Sequence, residues 1–149
     1  MPKASFRELQ PASAQASAAA RGASKKTGTK PELLLRRALW RAGLRYRTHD
    51  SSLRGRPDIV LKGPRVAVFC DGDFWHGRDW ESRRLRLEGG HNAGYWVAKI
   101  ERNIERDRLT RRELELQGWT VVRVWEGDLK SRLDEVVEEI RLLVRGQAR

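Results

Sequence analysis

Two short apolar runs, Ile59-Val60-Leu61 and Val66-Ala67-Val68-Phe69, stand on either side of a Gly63-Pro64 step. The connection is too short for a crossover helix, so the runs are predicted to pair as the antiparallel strands of a hairpin. Acids sit at both free ends: Asp58 precedes the first run, and Asp71 and Asp73 follow the second. A hairpin turns those ends toward one edge of the sheet, where Asp58 and Asp71 are expected to face each other. Two close carboxylates repel unless one takes a proton or a cation lies between them. A hard divalent ion with oxygen ligands suits such a site, and its water gains acidity. His76 follows within Phe74-Trp75-His76-Gly77 and can exchange a proton near neutral pH.

Each residue also has a plainer reading. Asp58 can cap a strand or pair with Arg56, and Asp71-Gly72 is a turn dipeptide. A lone histidine is more often a surface or packed residue than a catalyst. The three histidines show no short paired spacing of the kind that marks a metal site. The combination carries the argument: acids at both free ends of one hairpin, with a histidine close behind.

The rest of the chain supplies the frame. TKPE places Thr29 at a helix N-cap and Glu32 at the capping-box position; the helix runs through Leu34, Leu35, Ala38 and Leu39 to Gly43. Residues 44–50 alternate and read as a strand. Residues 72–94 are irregular, with one short helix over SRRLRLE. A long helix follows over AGYWVAKIERNIERDRLTRRELELQG, then a strand, WTVVRVW, expected in the centre of the sheet. A single amphipathic helix, LKSRLDEVVEEIRLLVRG, closes the order α-β-β-β-α-β-α. That order predicts a mixed α/β fold with helices on the faces of a central sheet. Residues 1–28 are rich in Ala, Ser, Gly and Lys and are expected to form a flexible basic tail ahead of one domain over 29–146.

Charge narrows the partner. The chain has 149 residues with 31 Lys+Arg against 20 Asp+Glu, a formal charge of +11. Nucleic acid is the commonest partner of such an excess, and a soluble basic surface is the plain alternative. The arginines Arg36, Arg37, Arg102, Arg106 and Arg108 on the predicted helices suit phosphate contacts, although helix arginines are often only solvated. No apolar stretch approaches a membrane span, and the start lacks a secretory h-region, so a cytoplasmic, nucleoid-associated protein is expected. Cys70 is the one cysteine, which excludes an internal disulfide and a thiolate zinc site.

At GRPDIV, VFCDGDFWHG, YWVAKIERNIERDR and GWTVVRVWE the sequence resembles the very short patch repair (Vsr-type) endonucleases. The likeness runs from TKPELLLRRAL to WEGDL in the family's order and spacing. It implies a restriction-endonuclease-like α/β/α sandwich around a mixed sheet. It further implies Mg²⁺-dependent nicking of one strand of double-stranded DNA beside a T·G mismatch, with Mn²⁺ as a substitute ion. Such mismatches arise from deaminated 5-methylcytosine, so a functional link to a cytosine methyltransferase follows, with the enzyme acting as a monomer on DNA.

Matched by motif, Asp58 is the metal-binding aspartate, and the backbone carbonyl of Cys70 completes the metal site. Glu32 holds metal-bound water, and His76 lies near the scissile phosphate. Asp71 stands where the best-known member has a histidine and serves as base or ligand, which the sequence leaves open. Phe74, Trp75 and Trp96 match side chains that wedge between bases, with core packing the plainer reading of Trp96. Lys99 matches a residue that contacts the mismatch, and Asn103 and Asp107 match polar residues that support the site. Several members carry a structural zinc. Here those positions read Asp73 and Gly127 with no second cysteine, so that zinc is expected to be absent, and the 79–92 segment is the candidate to pin the FWHG loop. Two other readings stand: a restriction or phage-defence nickase without mismatch preference, and a DNA-binding module without catalysis.

Overall fold

In the computed structural model, residues 28–147 are described; the expected basic tail lies outside them save for its last residue. Helix α1 spans Lys30–Arg41, with Thr29 Oγ1 accepting from the Glu32 N–H. Its apolar face buries Leu35 and Leu39 completely. The predicted strand over 44–50 is reduced to β1, Arg47–Thr48. It stops there because His49 takes a left-handed backbone, φ 49°, which a β-ladder cannot continue.

The hairpin forms as predicted. β2 (Ile59–Leu61) pairs antiparallel with β3 (Val66–Asp71), with Ile59 opposite Val68 and Leu61 opposite Val66. Helix α2 (Trp80–Glu88) falls on the stretch predicted to be a short helix, and α3 (Ala93–Leu116) on the long one. β4 (Thr120–Trp125) then runs parallel to β3, as a crossover through a helix requires. The sheet order is β1-β2-β3-β4, so β4 is an edge strand, not the central one expected. Its apolar alternation reflects helices on both faces rather than strands on both sides. The expected closing helix is two: α4 (Glu126–Ser131) and α5 (Leu133–Gln147), divided at Arg132, whose φ −140° and ψ 44° are not helical.

Strand alternation divides the interior. Val66 and Val68 of β3 face α1, α4 and α5, packing with Leu35, Leu129 and Ile140, and Cys70 lies against the same cluster. Ala67 and Phe69 point to the opposite face, where Leu114 of α3 and Val121 cover them. Helices thus cover both faces of the sheet, the α/β/α arrangement predicted. No helix among the described residues is long and apolar enough to cross a membrane.

Candidate active site

The hairpin does bring Asp58 and Asp71 to one end of the sheet, near enough for the Asp71 charge to act on Asp58, but they join different groups of side chains. Asp71 belongs to the Phe69 face of β3, whereas Asp58 turns to the Cys70 N–H and the α1 face. Their side chains therefore enter two neighbouring clusters: Glu32, His49 and Asp58 in the first, and Asp71, His76 and Asp107 in the second.

In the first cluster, Asp58 Oδ2 accepts a 2.7 Å hydrogen bond from the Cys70 N–H. A strand residue's N–H and C=O point the same way, so the Cys70 carbonyl faces the Asp58 side as well. Glu32 is only 1% exposed and lies beside His49, with Oε1 at 3.2 Å from Nε2, and is paired with Arg36. The third cluster member, His49, was not anticipated, because no sequence spacing marks it. Strand pairing delivers it: Thr48 sits opposite Ile59, and the His49 N–H donates to the Asp58 carbonyl at 3.1 Å. Its Nε2 stands 3.8 Å from Asp58 Oδ1.

Burial pushes the Asp58 carboxyl up to about 7, against the Cys70 hydrogen bond and with help from the nearby Glu32 charge. Among the described residues no arginine or lysine pairs with Asp58; the nearest group that can carry positive charge is the His49 imidazole. Burial and the surrounding acids also drive the Cys70 thiol far up, so it stays a neutral packing group. Two carboxylates, an imidazole and a strand carbonyl are a donor set that fits a divalent metal ion.

The second cluster already contains its cation. Arg123 Nη1 donates to both Asp71 oxygens at 2.9 Å, and Nη2 lies 3.4 Å from Asp107 Oδ1. His76 Nδ1 meets Asp107 Oδ2 at 2.5 Å and lies 3.7 Å from Asp71 Oδ1. Burial raises the Asp71 carboxyl, with His76 and Arg123 opposing. Burial draws the His76 imidazole down, but the Asp107 hydrogen bond and the charges of Asp71 and Asp107 outweigh it, leaving it raised. Arg123 was not anticipated either. Its signal was there to read: an arginine on the core side of the apolar strand TVVRVW needs an acidic partner.

The loop after β3 carries the aromatic residues. Phe74, Trp75 and Trp96 pack on one another, with centroids 5.0 Å apart for Phe74–Trp75 and 5.4 Å for Trp75–Trp96. Lys99 Nζ sits 5.1 Å from the Trp75 ring. This group lies outside both core clusters, so Trp96 is not a core residue of its helix. Asn103 Nδ2 donates to the Trp75 carbonyl at 2.8 Å.

The loop is also tied outside the 79–92 segment. Asp73 Oδ1 accepts from the Gly127 N–H at 3.3 Å, and Arg78 ties Asp128 at 2.9 Å and Asp73 at 3.6 Å. Asp73 and Gly127 are thus joined by an acid, a backbone N–H and a guanidinium. Of the helix arginines, Arg106 bonds Asn103 and Arg108 bonds Glu105, while Arg37 and Arg102 are exposed.

Comparison with known proteins decides the family. A type II nicking enzyme of Neisseria meningitidis serogroup C, V.NmeDIP, is 47% identical over 122 residues, covering 82% of this chain and 81% of the relative. The family described as DNA mismatch endonuclease Vsr matches residues 12–82. The chain belongs to the Vsr endonuclease family. The type II nicking enzyme V.HpaIIP of Haemophilus parainfluenzae is 41% identical over 81% of this chain and 84% of its own length. The DNA mismatch endonuclease Vsr of Escherichia coli K12 is 37% identical over 65% of this chain and 62% of its own. The catalytic domain of homing endonuclease I-Bth0305I superposes with a TM-score of 0.56 at 18% identity, over 82% of this chain and 100% of that domain. The fold is accordingly restriction-endonuclease-like, and the protein is a DNA endonuclease, a hydrolase of phosphodiester bonds.

Proposed function

We propose that this Vsr-family endonuclease nicks one strand of duplex DNA at or beside a T·G mismatch, with Mg²⁺ held at the first cluster. The observation that carries the reading is Asp58: a half-buried acid with no arginine or lysine partner among the described residues, grouped with Glu32 and His49 and close to a histidine-acid pair. Asp58 and the Cys70 carbonyl would hold the ion, with Glu32 placed to act through its water. A bound divalent ion supplies Lewis acidity at the scissile phosphate and a water of lowered pKa.

The chain's own groups do the rest. Asp107 takes up His76 Nδ1 and so presents Nε2, which delivers a proton to the leaving oxygen. Asp71, engaged on both oxygens by Arg123, acts as the acceptor that fixes this array and not as the base. Phe74, Trp75 and Trp96 enter the base stack, where a mismatch is the step easiest to open. Lys99 lies at the mismatch, and Asn103 steadies the Trp75 backbone. A monomer acting alongside a cytosine methyltransferase, which creates the lesion's precursor, completes the reading.

Strand-specific nicking assays on T·G, matched and methylated duplexes test it. Mg²⁺-dependent cutting of the T·G duplex that disappears in Asp58→Asn is the expected result. Equal cutting of matched DNA removes the mismatch assignment, and cutting that survives EDTA removes the metal.

A further inference from the structure

Arginine is an expensive residue for the interior face of a β-strand. Arg123 stands opposite Phe69 across the parallel β3–β4 pair, and its guanidinium lies 4.2 Å from that ring's centroid. Asp71 lies two residues beyond Phe69 on the same face, within reach of that guanidinium. The result is a planar donor that holds both oxygens of one acid and one oxygen of another. The same two acids and His76 place ligand atoms within 4.8 Å of one another, a spacing that would otherwise hold a metal ion.

We propose that Arg123 is the built-in cation of this second cluster: it excludes a divalent ion from Asp71 and Asp107 and so leaves His76 free to handle a proton. A metal ion there would have to displace a guanidinium that engages both acids and would face its positive charge at close range. It would also claim the imidazole as a ligand. The inference rests on the reading that the reaction's metal belongs with Asp58. In that role Arg123 is a positioning residue, since it acts through Asp71 and Asp107.

Counting bound Mn²⁺ on the full chain by electron paramagnetic resonance, without DNA, tests the proposal. The wild type should hold one ion, lost in Asp58→Asn and retained in Asp107→Asn. Arg123→Met should raise the count to two, with the added ion lost again when Asp107→Asn is combined with it. Arg123→Lys, which keeps the charge, should hold the count at one. A wild-type ion removed by Asp107→Asn overturns the proposal, as does an Arg123→Met variant that melts like the wild type yet gains no ion. Should Arg123→Met fail to fold, the Asp107→Asn and Arg123→Lys counts decide alone: unchanged counts support the proposal, and a lost ion in the first or a gained ion in the second overturns it. A wild type with no ion sensitive to Asp58→Asn sinks the metal reading of the first cluster, while the Asp107→Asn comparison still judges Arg123.

Discussion

His76 meets Asp107 across 31 residues of sequence, Nδ1 to Oδ2 at 2.5 Å, and this contact determines which ring nitrogen is left to work. Removing either partner should slow single-turnover nicking by ~10²–10⁴-fold, the usual range for a general acid–base group. The double variant His76→Ala/Asp107→Ala should be little slower than the worse single one, because the pair acts as a unit. Multiplied losses would show two independent roles.

Asp58 links metal loading to pH. Its proton is held up to about 7, so below that pH the ion has to displace it, and affinity should fall by up to about tenfold per pH unit. Titrations of Mn²⁺ across this range check the slope. The metal-free fold should behave in the opposite sense. Its carboxyl binds the proton more tightly than the unfolded chain does, from an ordinary value of 3.8, so its stabilising contribution is lost as pH rises through about 7. Melting curves with and without Mg²⁺ should converge at low pH and separate at high pH.

Two glycines near the loop should respond differently to alanine. Gly77 has φ 71°, and a Cβ there would lie 2.5 Å from Ile104 Cδ1. Strain and crowding together should cost about 1–3 kcal/mol, read by denaturant unfolding. At Gly127 a Cβ would meet Asp73 Oδ2 at 2.6 Å, the end of a movable side chain. Gly127→Ala should leave stability nearly unchanged but free the Asp73 end of the loop, weakening DNA binding. A large drop in stability would mean that the Asp73–Arg78–Asp128 connection supports the fold and not the loop alone.

Trp75→Ala should weaken affinity for mismatched duplex by ~1–3 kcal/mol, the worth of one base–aromatic stack, while far-UV circular dichroism is unchanged. The loss should be smaller on matched DNA, where fewer bases are unstacked. An equal loss on both duplexes would assign the ring to packing against Lys99 and Trp96.

The hairpin, the capped first helix and the long third helix were legible in the sequence because each is written in local terms: turn residues, a capping threonine, helical apolar spacing. The edge position of β4 was not, since a strand covered by helices on both faces has the same apolar text as a central one. The site divided in the same manner. Asp58, Asp71 and His76 were found from their places around one hairpin, and the resemblance added Glu32 and Asp107. Asp58 and Asp71 came to one end of the sheet but in different side-chain groups, because Asp58 turns to the Cys70 N–H while Arg123 holds Asp71. His49 was hidden because only strand pairing brings it near Asp58. Arg123 stood in plain view, but its partner lay 52 residues away.

The parallel pairing of β3 with β4 has a consequence for the time at which the enzyme becomes dangerous. A chain emerging from the ribosome exposes Asp58, Asp71 and His76 well before Asp107 and Arg123 are synthesised. Until α3 docks, the histidine lacks its anchor, and until β4 docks, Asp71 lacks its counter-charge. A DNA-cutting protein built in this order assembles its full machinery only once α3 and β4 have both been made and have docked.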